Sequence, residues 1–171
     1  MAANLLYALN QFLHNLLVVA FVGGALVAVL LIREGSRGGI TVDEKMQVFL
    51  HKQAHRGFWT LAALMATGVN FGLLSLSLHG RLPDIGTIAW GALTVKVLLA
   101  FVCLGLLWHL WKGLGPLIEA LSRRQGAGGL LDPEERGKVA ALRMREQGLW
   151  LALLVLGTLT LFCAALLRYM S

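Results

Sequence analysis

Hydrophobic and polar positions fall into long blocks along this chain. Four apolar runs, at about 5–32, 57–78, 87–111 and 148–167, are separated by segments rich in Gly, Pro and charged residues. A helix of about 20 predominantly apolar residues crosses the hydrocarbon core of a bilayer, so each run is read as a transmembrane helix. The first is longer than the core requires, which predicts tilt or a protruding end. Between the runs, start and stop signals are legible. Thr41 and Glu44 have the S/T-x-x-E spacing of a capping box, opening a helix that runs into the second span, and the turn HGRLPDIG with Pro83 closes it. Gly113, Gly115 and Pro116 interrupt the third pattern, and QGAGG forms a polar break. Asp132 as N-cap and Pro133 at the first helical position then begin a charged helix that enters the fourth span. The predicted fold is all-α, one unit over 1–171: a four-transmembrane-helix antiparallel bundle in which short connections make sequential helices neighbours.

Composition changes the picture in one respect, by excluding a soluble domain: the chain is 57% hydrophobic and 14% charged, with a mean hydropathy of +0.72. The formal charge of +6 is concentrated beside the apolar runs. Five Lys/Arg lie in 33–56 and seven in 112–147, against Arg81 alone in 79–86, Arg168 alone after the fourth run and none before the first. This asymmetry predicts both long loops in the cytoplasm and both termini on the outer side, with the lipid bilayer rather than nucleic acid as partner. Trp59, Trp108, Trp111 and Trp150 fall at the expected inner interface, and Tyr7, Trp90 and Tyr169 at the outer one. The first run has no positively charged leader and is interrupted by Asn10, Gln11, His14 and Asn15, so it reads as a retained membrane helix. Cys103 and Cys163 sit inside apolar runs without metal-type spacing and read as small core hydrophobes.

Candidate chemistry begins with Lys96, near the middle of the third run. An ionisable residue at that depth is costly and is expected to face the bundle interior with a partner. His14, Asn70, Lys96 and Thr158 or Thr160 lie within about one helical turn of the midplane, slightly to its outer side, one on each helix. They form a candidate polar layer in which His14 and Asn70 partner Lys96, the candidate catalytic residue. The same residues also fit a snorkelling lysine, polar interhelical contacts and a satisfied core histidine. A second cluster lies at the inner ends. His51 and His55, four apart, share a helix face, and His109 lies within about two turns of His55 in depth. Imidazoles on facing helices can hold a b-type haem or a metal ion, while interfacial histidines also tolerate headgroups without any ligand. His14, His55 and His109 are thus the haem-iron or metal candidates, with Asn70 beside the cofactor; His79 is a solvated turn residue or an upper ligand. Gly23, Gly24, Gly68, Gly72, Gly91 and Gly105 remove side chains where a macrocycle or another backbone could approach.

All nine Asp and Glu are expected in loops or at helix ends, and no Walker loop, GxSxG or HExxH is present. Hydrolytic and nucleotide chemistry are thereby excluded, and proton chemistry is left to His and Lys.

These motifs carry a resemblance. LHNLLVVAFVGGALV resembles the first helix of the CopD-like and HemJ-like membrane families, HRGFWTLAALMATGVNFG their second, and LTVKVLLAFVCLGLLWHLW their third; the fourth run has no counterpart beyond its hydrophobicity. The resemblance implies a four-helix bundle, with haem b and protoporphyrinogen oxidation in the HemJ-like branch and copper transport or resistance in the CopD-like branch. It makes His14 the haem-ligand position and Lys96 the matching lysine. LLIREGSRGG departs from the aromatic and basic segment of the HemJ-like pattern, and the five methionines form no thioether stripe of the kind Cu(I) prefers. The expectation is an integral membrane b-type haem redox protein of the bacterial inner membrane, as an electron carrier, an oxidoreductase or a subunit of a respiratory complex, with a quinone or porphyrin as its small partner; the alternative is a metal transporter. An accessory subunit without chemistry of its own also fits the small size.

Overall fold

The structure, a computed structural model, describes residues 2–37, 44–80, 87–126 and 133–170. It is all-helical among these residues: α1 (Ala2–Arg37), α2 (Glu44–His79), α3 (Thr87–Trp108), a π-helical segment (His109–Leu114), α4 (Gly115–Gly126) and α5 (Pro133–Met170). Four helical stretches, Leu5–Glu34, Lys45–Leu78, Trp90–Leu121 and Gly137–Ala165, are long and apolar enough to cross a membrane. The chain is thus an integral membrane four-helix bundle.

The helices run antiparallel in a closed ring. α1 packs against α2 and α5, and α3 against α2 and α5, while the diagonal pairs make no close backbone approach. Short connections impose this order, because each helix must turn back beside its predecessor. One end of the bundle collects the C-terminal part of α1, the start of α2, the π-segment, α4 and the start of α5, and carries most of the Lys and Arg; it is the basic end. The opposite end, where α1 begins and α5 finishes, is the terminal end.

α2 is 36 residues long, about 54 Å at 1.5 Å per residue, against roughly 30 Å of hydrocarbon. Its excess projects at the basic end, where α4 packs against it. The most deeply buried side chains lie in that half: Leu50, Ala54, Leu107, Leu110, Ile118, Trp150 and Leu153 are all at most 2% exposed. Within lipid, association gains little from hydrophobicity and depends on close packing, which small residues permit. Ala25, Ala28 and Ala54 are accordingly buried, and at Gly24 of α1 the Gln53 side chain of α2 occupies the space a Cβ would need. At the terminal end of α1, Leu5, Leu9 and Phe12 are each more than 60% exposed and face the surroundings of the bundle.

Two boundaries follow the sequence reading. Pro133 opens α5, where its missing amide is no loss. Gly80, at φ +68°, ends α2, its amide donating to the Leu76 carbonyl at 2.9 Å, the left-handed closure that glycine favours. Thr41, Pro83 and Asp132 lie outside the described residues.

Two expectations are corrected. The chain is not interrupted at Gly113, Gly115 and Pro116: the third helix continues through the π-segment into α4. The widened turn lets Gly115 donate to the Leu110 carbonyl, which re-registers the ladder just where Pro116 has no amide to give. Trp150 is not an interfacial anchor but is 2% exposed in the core, because it shares the inward face of α5 with Leu153. Trp59, Trp108 and Trp111 do form one aromatic cluster with Phe58 at the basic end, and Lys112 lies 4.1 Å over the Trp111 ring.

Candidate functional site

The sequence-predicted polar layer is only partly assembled. Its connected portion lies between α1 and α2 in the terminal half. Asn10, 7% exposed, donates to the Thr67 carbonyl at 3.1 Å and accepts from Asn70 at 3.1 Å. One turn further along α1, His14 Nδ1 is 2.9 Å from Thr67 Oγ1, and that hydroxyl lies 2.8 Å from the Leu64 carbonyl, to which it donates. A hydroxyl has one proton. With Thr67 donating to Leu64, His14 is the donor to Thr67 through Nδ1–H, and its Nε2 is left as a lone pair. The His14 ring is half-buried and meets the edge of Phe71 at a centroid distance of 5.9 Å. Gly68 lies beside it, where a Cβ would stand 3.9 Å from His14 Cε1.

Lys96 is half-buried on α3, diagonally across the ring from α1. Its ammonium acts electrostatically on the His14 position. No hydrogen bond joins Lys96 to His14 or Asn70 among the described residues. Asn70 is bound to Asn10 instead. Thr158 and Thr160 turn back onto their own helix, donating to the Leu154 and Leu156 carbonyls at 2.8 and 2.7 Å, so α5 adds no interhelical bond to the layer from either threonine. This back-bonding satisfies a hydroxyl where no water is at hand.

The inner histidines occupy three separate environments. His55 is exposed, accepts from Trp59 Nε1 at 2.9 Å and stacks on Trp111 at 4.4 Å. His109 is exposed on the π-segment, its ring within 3.0 Å of where a Gly113 Cβ would stand. His51 turns inward, its imidazole filling the place a Cβ would take at Gly115; its Nδ1 is buried without a partner. Among the described residues no three or more His, Cys, Asp or Glu side chains converge as a metal site. The side chain of His79 lies outside those described.

A second buried polar group went unforeseen. Glu146, expected with the other acids in a loop or at a helix end, lies well inside α5 and is 5% exposed; Gln47 of α2 is 1% exposed. Gln47 Nε2 donates to both carboxylate oxygens at 3.2 Å. This bond spans the α2/α5 diagonal, joining two helices whose backbones do not otherwise approach. Around it, Gln47 Oε1, His51 Nδ1, Arg143 Nε and Nη2 and Trp150 Nε1 are buried without partners. The signal was present as spacing: Gln47 and His51 are four apart, and Arg143, Glu146 and Trp150 follow an i, i+3, i+7 stripe, so each set shares a helix face. Asn10 and Thr67 were likewise legible only as interruptions of apolar runs.

The fold and these two polar clusters define a membrane-spanning helical bundle with a polar interior. Comparison with known proteins returns no matching family, no similar curated protein and no similar solved structure.

Proposed function

We propose that the protein is an integral membrane b-type haem redox protein, with His14 as the residue that would hold the haem iron. The observation that supports this reading most is the Leu64–Thr67–His14 chain of hydrogen bonds. It orients the imidazole and selects the tautomer in which Nε2 is unprotonated, the arrangement by which an acceptor bonded to one ring nitrogen prepares the other for a metal. The residues fit the group in two further respects. Gly68 leaves the flank of His14 free of a side chain. Lys96, within electrostatic range of His14, provides an ammonium for a porphyrin carboxylate. Bound haem supplies one-electron chemistry at iron. The chain's own residues hold and orient the ligand (His14, Thr67), tie α1 to α2 beside it (Asn10, Asn70) and place a cation nearby (Lys96). The HemJ-like resemblance agrees in giving His14 and Lys96 these positions, and extends the reading to porphyrinogen oxidation or electron transfer to a respiratory partner in the bacterial inner membrane.

The visible spectrum of the purified protein, before and after addition of haem, tests this. A Soret band with reduced α and β bands is expected, lost in His14→Ala and retained, with weaker haem affinity by roughly tenfold, in Thr67→Val. Protein that stays colourless after haem addition, or a His14→Ala variant with an unchanged spectrum, overturns the reading.

A further inference from the structure

The Glu146 cluster is independent of the haem reading. A cavity of about 90 Å³ opens between α1, α2 and α5, bordered by Ile32, Gln47, Arg143 and Glu146 and, on its outer side, by Met144 and Gln147. Met144 is 69% exposed, so the cavity reaches from the buried carboxyl towards the surface at the basic end. Liquid water occupies about 30 Å³ per molecule, so this space takes roughly three waters. Beside it, Gln47 Oε1 and Arg143 Nε and Nη2 are buried without hydrogen-bond partners.

We propose that Glu146 is a proton-binding site, reached from the basic end through water in this cavity, with the Gln47 amide as its switchable partner. In the step, a cavity hydronium gives its proton to a Glu146 carboxylate oxygen and becomes water; release is the reverse. Gln47 serves both states. Its Nε2 donates to the carboxylate, as observed; after a half-turn of the amide, its Oε1 accepts from the protonated carboxyl. Arg143, three residues back on α5, is the charged group that acts on Glu146. α2 contributes the neutral Gln47, with His51 one turn further on, and α1 the apolar Ile32.

Infrared difference spectroscopy between acid and alkaline pH, on the full chain in lipid nanodiscs without added haem, tests the site. The expected result is a protonated-carboxyl C=O band that disappears at alkaline pH, moves to lower frequency within minutes in D₂O and is lost in Glu146→Gln. In Gln47→Leu, which keeps the carboxyl, the band is retained but moves to higher frequency because its amide partner is gone. Spectra of Glu146→Gln that match the unaltered protein, a band that does not exchange in D₂O, or a band unmoved by Gln47→Leu each overturn the proposal.

Discussion

Asn10 illustrates how much one buried amide does in lipid. Its side chain both donates to α2 through the Thr67 carbonyl and accepts from Asn70, so it fixes the register of the two helices that carry His14 and Thr67. Interhelical hydrogen bonds in membranes are each worth about 0.6 kcal/mol on average. Asn10→Ala breaks two of them and is expected to cost about 1 kcal/mol, whereas Asn70→Ala, which breaks one at an exposed position, costs about half that; reversible unfolding in mixed micelles reads both. At this scale, the sequence identified His14, Asn70 and Lys96 by their cost in an apolar run. Their partners were not legible, because depth along a helix does not say which way a side chain points, and Asn70 bonds to Asn10 rather than to Lys96.

Between elements, two adjacent glycines separate close packing from open space. Gly24 lies where the Gln53 side chain of α2 crosses α1, while Gly23 meets nothing within 4 Å. Gly24→Leu must displace the Gln53 side-chain amide and is expected to cost about 1 kcal/mol; Gly23→Leu stays within about 0.5 kcal/mol. Equal losses in thermal unfolding for the two variants would contradict this packing. The helices themselves were readable from four apolar runs and from Pro133. The continuity of α3 through the π-segment was not, because a glycine-proline cluster reads as a stop unless the hydrogen-bond ladder can shift register, and that shift depends on α2 lying alongside: the Gly115 niche is filled by His51.

For the whole molecule, the charge asymmetry predicts an orientation. Twelve Lys/Arg fall towards the basic end, five in 33–56 and seven in 112–147. A cysteine at the exposed Lys52→Cys position, in a background with Cys103→Ala and Cys163→Ala, is therefore expected to react with an impermeant maleimide only after the membrane is opened. Labelling in intact cells would reverse the orientation and place the Glu146 cavity on the outer face. Either way the bundle has polar groups at two levels: an α1/α2 network in the terminal half, and the α2/α5 clasp at the basic end.

The sequence by itself determined the class of molecule, the four spans, their antiparallel order and the costly residues His14 and Lys96, because hydrophobic length and charge asymmetry act locally and add along the chain. Only the tertiary structure decided which polar groups meet. It dispersed the inner histidines among a tryptophan stack, a glycine niche and an exposed face, and it gave His14 a threonine in place of a lysine. It also brought Gln47 and Glu146 together across the bundle. The reason is rotational: a helix's position along the membrane normal is written in its hydrophobic run, but its rotation about its own axis is set by how Gly24, Ala54, Gly57 and Gly157 let neighbouring helices approach.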